Sequence, residues 1–124
     1  MKMLVVLLIA LVPAASQAEK TYYRGKGSSW DCTRDPVVYI NHGNAKYTLT
    51  GACSTITVNG GNNRLTIEDV ETLAVNGNNN FIKIATVGAI SVNGSDNLVL
   101  YKAAKADKVK SDTLGSGNTV EQRK

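Results

Sequence analysis

Apolar and polar residues alternate along most of this chain, and the alternation recurs at a fixed interval. The tripeptide Val-Asn-Gly marks the interval, because its three copies begin at Val58, Val75 and Val92, 17 residues apart. Around each copy the apolar residues occupy every second position, which indicates strands with one buried face. Self-similarity at a fixed period is typical of a stack of like units, so the pattern predicts an all-β repeat architecture.

Each repeat unit contains a short strand, a corner rich in glycine and asparagine, a second short strand and a small turn. An earlier unit fits at a step of 18 residues, where Val38 and Tyr47 precede Ile56 and Leu65. A degenerate unit ends the chain after a lysine-rich insertion. The repeat domain is therefore predicted to span residues 38–124, and no long helix is predicted.

Two architectures generate such a repeat. In a parallel β-solenoid each unit is one coil, so equivalent residues of successive coils lie on top of one another. In an antiparallel β-meander, Asn-Gly forms hairpin turns, and a strand of the other kind separates equivalent residues. Only the solenoid explains the recurring corner asparagines, since stacked amides pass hydrogen bonds from coil to coil. The sequence thus predicts a short, single-stranded parallel β-solenoid with coils of about 17 residues, and the meander is the alternative.

The corners combine glycine and asparagine, which tolerate the positive φ angles of tight turns better than other residues do. The residues predicted to form the corners and their amide ladder are Asn59, Gly60, Asn63, Asn76, Gly77, Asn80, Asn93, Gly94 and Asn97.

Two segments of the repeat resemble a known family. The tripeptide Gly51-Ala52-Cys53, followed by Ile56-Thr57-Val58-Asn59-Gly60-Gly61-Asn62-Asn63, is similar to the bacterial exported proteins catalogued as domain of unknown function 3060. Members of that family repeat a V-x-G-x-x-N unit after a Gly-x-Cys. The resemblance covers about residues 30–120. It implies a small β-solenoid of the cell envelope, and it implies no activity.

Residues 1–18 have the pattern of a secretory signal peptide. Lys2 precedes an apolar run from Leu4 to Val12, and Ser16-Gln17-Ala18 supplies the small residues of a cleavage site. The apolar run is shorter than the roughly 20 residues that span a bilayer, so we expect no membrane span after cleavage. The short leader is typical of bacterial export, which predicts a periplasmic or secreted protein.

Export changes how the cysteines and the charge are interpreted. In an oxidising compartment the pair Cys32 and Cys53 is expected to form a disulfide. Closing a loop of that size stabilises a protein by roughly 3 kcal/mol. The chain has 14 basic and 10 acidic side chains, an excess too small to favour nucleic acid as a partner of an exported protein. Residues 19–37 have no regular pattern and are interpreted as an N-terminal cap segment.

The chain offers little catalytic or metal-binding chemistry. Glu68, Asp69 and Glu71 form one cluster without acidic equivalents in the next unit, whereas a glycan hydrolase needs carboxylates on both sides of a groove. His42 has no nucleophile beside it. Asp96 is the one acid in its corner position, and calcium needs several oxygen ligands. We therefore predict no catalytic residue, no metal site, no cofactor and no enzymatic activity.

Two outward faces remain as binding surfaces. One carries small side chains, which suit packing or weak glycan binding; they are Thr55, Thr57, Thr72, Ala74, Ala89 and Ser91. The other carries Phe81, Leu98 and Leu100, an apolar patch of the kind that marks interfaces. Either a partner protein or the segment 19–37, through Tyr22, Tyr23 or Trp30, covers this patch.

The sequence thus predicts a non-enzymatic structural or protein-interaction protein of the bacterial cell envelope. A glycan-binding module that uses the small-residue face is the alternative. The partner, whether an envelope protein or a glycan, and the oligomeric state are left open by the sequence.

Overall fold

A computed structural model describes residues 21–23 and 28–123, and the predicted signal peptide lies outside them. The described residues form nine strands of one sheet. In chain order the strands are β1 (Thr21–Tyr23), β2 (Ser28–Asp31), β3 (Val37–Ile40), β4 (Lys46–Asn59), β5 (Arg64–Asn78), β6 (Phe81–Ser95), β7 (Leu98–Ala104), β8 (Lys110–Ser116) and β9 (Thr119–Gln122). Every strand pairing within these residues is parallel, which excludes the antiparallel meander.

The strands wind into about six coils, so the predicted parallel β-solenoid is confirmed. The long strands β4, β5 and β6 each follow most of one coil and pair side by side over almost their whole length. The first half of β6 pairs with β7 and the second half with β8, because the lysine-rich insertion separates the two short strands. Pairing of β7 with β9 completes the last coil.

Aliphatic columns fill the inside of the coils. Ile56, Leu73 and Ile90 are in register in three successive coils, and each is at most 2% exposed. Their side chains alternate with outward polar ones, as the period of two requires. Stacking the same kind of side chain on the next coil forms one continuous buried core along the solenoid.

The first coil forms where the sequence pattern is irregular. Strands β1 and β2 pair in parallel with β3 and with the first part of β4, so the sheet extends ahead of residue 38. Trp30 is in register with Leu49 and packs against the core, and its indole N–H donates to the Asp35 carbonyl at 3.0 Å. The aromatic ring therefore seals this end of the core, which solenoid ends require.

The other end of the core is closed by polar side chains. Ser111 and Thr113 of β8 take the inward positions that Ile90 and Val92 hold in the coil before. Gln122 of β9 likewise follows Tyr101. Val120 follows Val99 and packs against the core, so the end layer is polar apart from this valine.

The predicted disulfide between Cys32 and Cys53 is confirmed. Their Cα atoms are 5.0 Å apart, and both residues are almost fully buried. The bond ties the segment after β2 to the bend of β4, so it fastens the first coil to the second.

An inner amide ladder crosses the corners. Asn63, Asn80 and Asn97 are each 1% exposed. The side-chain oxygen of Asn80 accepts the backbone N–H of Asn63 at 3.1 Å, and that of Asn97 accepts the N–H of Asn80 at 3.0 Å. The Asn80 side-chain amide donates to the Gly60 carbonyl at 3.0 Å. A buried polar group without a hydrogen-bond partner destabilises the folded state. The corners can therefore be buried only because the ladder satisfies their N–H and carbonyl groups.

The residue before each ladder asparagine, and before Ala45 at the equivalent place in the earlier coil, has a left-handed backbone. Asn44, Asn62, Asn79 and Asp96 have φ between 56° and 60°, and Gly117 has φ of 73° in the last coil. Asparagine, aspartate and glycine are the residues that adopt this conformation most readily. The corner conformation therefore accounts for Asp96 without a bound cation.

A glycine column brings consecutive corners into close contact. A methyl group added at Gly77 would lie 1.8 Å from the Gly60 carbonyl oxygen, and one added at Gly94 would lie 1.8 Å from that of Gly77. Any side chain at these positions would therefore push two coils apart.

An outer amide ladder runs beside the glycine column. The Asn59 side-chain amide donates to the Asn41 side-chain oxygen at 2.9 Å, and Asn76 donates to Asn59 at 3.0 Å. The next equivalent residue is Asn93, and Leu114 follows it in the last coil.

Removal of one inner rung should destabilise the protein strongly. Asn80→Ala leaves the Asn63 N–H and the Gly60 carbonyl without their partner, so we expect a loss of about 3 kcal/mol in the free energy of unfolding. Asn76→Ala, which removes an exposed rung of the outer ladder, should cost less than about 1 kcal/mol. Urea unfolding of both variants measures the difference, and equal losses would contradict the structural role of the inner ladder.

The glycine column gives a second test. Gly77→Ala forces a methyl group against the Gly60 carbonyl, and we expect a loss of at least about 3 kcal/mol in unfolding free energy. Gly61→Ala is the control, because the added methyl would lie 3.0 Å from the nearest atom, the Asn78 carbonyl oxygen. In thermal and urea unfolding, Gly77→Ala should be much less stable than Gly61→Ala. The opposite order of stability would show that the corners are not closely stacked.

Candidate interaction surface

The small-residue face consists of the six threonine, alanine and serine positions predicted from the sequence. The structure stacks them in register over β4, β5 and β6. Tyr39 lies beside Thr57 at one border, and Lys110 and Asp112 lie beside Ala89 and Ser91 at the other. A shallow depression at this second border is lined by both small and charged side chains.

The opposite outward face carries the apolar patch, which we define as Phe81, Leu98 and Leu100. Phe81 and Leu98 are neighbours on adjacent coils, and Leu100 follows two positions along β7. All three side chains are half-buried rather than fully exposed. For Phe81 the covering neighbour is Arg64, whose guanidinium lies 5.0 Å from the centre of the ring.

Basic side chains surround the apolar patch. Arg64 is in register with Phe81, and Lys83 is in register with Leu100. Lys102 lies two positions beyond Leu100 on the same face of β7. Glu121 of β9 borders Leu100 from the last coil. The rim thus has three basic groups and one acidic group.

Of the three aromatic residues predicted to cover the patch, only Trp30 has a described side chain. Trp30 packs against the core at the end of the solenoid and not across the outward face of β6 and β7. The side chains of Tyr22 and Tyr23, the other two predicted covers, lie outside the described part of the structure.

The acidic cluster is occupied by structural contacts. The Lys105 ammonium lies 2.7 Å from an Asp69 carboxylate oxygen and 3.5 Å from one of Glu71. A Glu68 carboxylate oxygen accepts the backbone N–H of Gly51 at 2.8 Å. The hydrogen bond that Lys105 donates to the Asp69 carboxylate raises the pKa of Lys105 above its ordinary value. These contacts fasten the lysine-rich insertion to an earlier coil.

No other chemical centre is evident in residues 28–123. His42 is exposed in its corner. Within this range no group of three or more histidine, cysteine, aspartate or glutamate side chains is placed to hold a metal ion. No helix among the described residues is long and apolar enough to cross a membrane.

Two features complete the ladders at the C-terminal end. Asn118 continues the inner ladder, because its side-chain oxygen accepts the Asn97 N–H at 3.1 Å. Leu114 occupies the outer-ladder position and is 67% exposed. Aligning the sequence of this corner on Gly94 and Gly115 matches Asn118 with Asn97, but the predicted ladder ends at Asn97, and the structure adds Asn118 to it.

Comparison with known proteins gives a family but no described relative. The model of a family described as "Protein of unknown function (DUF3060)" matches residues 40–83 and 62–117. No curated protein and no solved structure matches the chain.

The contact of Lys105 with the acids should make stability depend on alkaline pH. Because the folded state raises the pKa of Lys105, the contact stabilises the fold fully below the ordinary pKa near 10.5 and loses this effect as the pH rises above it. Wild type should therefore be more stable than Lys105→Gln at neutral pH, and the gap should close in strong alkali.

Urea unfolding of both proteins across that range measures the gap. All ionisable side chains other than Lys105 are the same in both chains, so their effects cancel in the difference. A gap that does not change with pH would show that the ion pair contributes nothing.

Proposed function

Since the chain belongs to the DUF3060 family of proteins of unknown function, we propose its function from its own surface. We propose a non-enzymatic scaffold of the bacterial cell envelope that binds a protein partner through the apolar patch. The observation that carries the proposal is the patch itself, in which Phe81, Leu98 and Leu100 adjoin on an otherwise polar outward face. Adjoining large apolar side chains with a polar rim are typical of interfaces.

The fold supports such a role because it is rigid. Parallel pairing joins each coil to the next, and the amide ladder and the disulfide hold the corners and the first coil. A surface that is ordered before binding loses little conformational entropy when the partner arrives. The three patch side chains are half-buried, so their neighbours already restrict their rotamers. They therefore also lose little conformational entropy when the partner binds.

The charge of the rim favours an acidic partner. Arg64, Lys83 and Lys102 outnumber Glu121 around the patch. Opposite charges at the rim of an interface speed association and exclude wrong partners more than they add affinity. The partner is therefore expected to present an apolar contact bordered by carboxylates.

The envelope location rests on two observations. Residues 1–18 have the composition of a signal peptide. Disulfides such as Cys32–Cys53 persist in oxidising compartments, and the periplasm and the exterior are such compartments in bacteria.

The absence of catalysis is part of the proposal. Glu68, Asp69 and Glu71 each have a structural contact, and no second acidic group faces them across a groove in the described residues. A glycosidase requires two carboxylates that flank the scissile bond.

The second candidate function is glycan binding on the small-residue face. It is favoured by the flat stack of small side chains with Tyr39 at its border, since an aromatic ring beside a flat polar surface can stack on a sugar.

Patch variants test the proposal and separate the two functions. A partner is first captured from envelope extract, identified and purified, and its affinity is then measured for each variant. Leu98→Ser combined with Leu100→Ser should weaken binding by roughly tenfold or more, because buried anchors contribute most of an interface's affinity. Lys83→Glu should slow association and reduce its salt dependence.

Thr57→Ala combined with Thr72→Ala is the matched control on the other face and should leave protein binding unchanged. Loss of binding in this control alone, or retention on peptidoglycan or polysaccharide that only this control abolishes, would replace the first function by glycan binding. Unchanged affinity in both double variants would exclude both surfaces.

A further inference from the structure

Three Asn-Gly pairs occupy equivalent places in this fold. Asn59, Asn76 and Asn93 each precede a glycine, and all three are exposed. In such pairs the glycine has no side chain to shield its backbone nitrogen, so this nitrogen can reach the asparagine side-chain carbon. The local sequence therefore gives all three the same chemistry, and any difference between them comes from the structure.

The outer amide ladder distinguishes the three. Asn59 donates to Asn41 and accepts from Asn76, so both ends of its amide are held. Asn76 is held through its donor only. The Asn93 side chain makes no hydrogen bond with any described residue, although its backbone is in register with Asn76. The restraint thus decreases from Asn59 through Asn76 to Asn93.

The next coil explains why the Asn93 oxygen has no donor. Leu114 stands where a further asparagine would continue the ladder, and its side chain cannot donate to the Asn93 oxygen. The strand that carries Leu114 is also the least protected of the long-range pairings, because every residue of β8 is exposed. Strands with few buried contacts open most often.

The backbone nitrogen of the glycine that follows the asparagine is also less restrained at Gly94 than at Gly60. The Gly60 N–H donates to the Asn76 carbonyl at 3.1 Å, within coils that are covered on both sides. Gly94 is in register with Gly77 on one side, but its neighbour on the other side is Gly115 in the exposed terminal strand β8. Both reacting groups of the Asn93-Gly94 pair are therefore less restrained than their equivalents.

From this gradient we propose that Asn93 is a site of spontaneous deamidation in the folded protein. The Gly94 nitrogen bonds to the Asn93 side-chain carbon, the bond from that carbon to Nδ2 breaks, and ammonia leaves with the proton of the Gly94 amide. Water then opens the five-membered succinimide at either carbonyl and gives aspartate or isoaspartate. One water is consumed for each ammonia released, and nothing is oxidised or reduced.

The product alters the last corner. A new carboxylate appears on the outer-ladder column, and the isoaspartate form lengthens the backbone by one carbon beside Gly94. Gly94 is packed so closely that a methyl group there would lie 1.8 Å from the Gly77 oxygen. We therefore expect the modified chain to hold β8 less firmly, which amide exchange of β8 would report.

Peptide mapping of aged protein tests the proposal. The folded, oxidised protein is incubated at mildly alkaline pH, and conversion at each asparagine is measured together with the isoaspartate content. Asn93 should convert about tenfold faster than Asn59, because up to two side-chain hydrogen bonds must break before Asn59 can cyclise. In the reduced chain unfolded by urea, all three should convert at similar rates. A folded-state rate at Asn93 no higher than at Asn76 and Asn59 would overturn the proposal.

A variant at the next coil tests the cause. Leu114→Asn supplies the missing rung and should slow conversion of Asn93 towards the rate of Asn76. Leu114→Ala is the control, because it removes the leucine without adding an amide, and it should leave Asn93 fast. Equal rates in the two variants would show that the ladder does not protect the asparagine.

Discussion

The parallel stacking of one coil on the next is the constraint on which the rest of this structure depends. Each coil satisfies its backbone groups with its neighbours, and the corners do so through the inner ladder of Asn63, Asn80 and Asn97. A buried corner without these amides would leave N–H and carbonyl groups unpaired at a cost of about 1 to 3 kcal/mol each. The same stacking requires glycine in the column that contains Gly77.

Most of the fold could be predicted from the sequence because the stacking imposes a period. Equivalent residues touch, so they resemble one another, and the three Val-Asn-Gly copies reveal the direction of the strands as well as their existence. The inner ladder asparagines were identifiable for this reason, whereas the disulfide pair was identifiable from the cysteine count and the signal peptide. The first coil was not, since β1 and β2 pair through their backbones and their residues have no periodic equivalents. Asn118 aligns with Asn97 in the sequence, but only the structure shows that it extends the ladder across the insertion.

The candidate surface was only partly predictable. Alternation determines that Phe81, Leu98 and Leu100 point outward, but it cannot give their exposure, which depends on Arg64 stacking over Phe81. The contacts of Lys105 with Asp69 and Glu71 join residues 36 and 34 positions apart through an insertion that has no repeat. The consequence of Leu114 for Asn93 likewise requires the register of β6 with β8. Contacts cannot be predicted from the period where the repeat is interrupted. The ion pairs of Lys105 and the effect of Leu114 on Asn93 both lie at such an interruption.

Solution NMR tests most directly whether neighbouring strands run parallel. Backbone nuclear Overhauser contacts should join residues at a constant difference in number, such as Leu65 with Ile82 and Leu73 with Ile90, each 17 apart. Contacts between residues whose numbers have a constant sum, as in successive hairpins, would contradict the solenoid and with it the ladder, the faces and the patch.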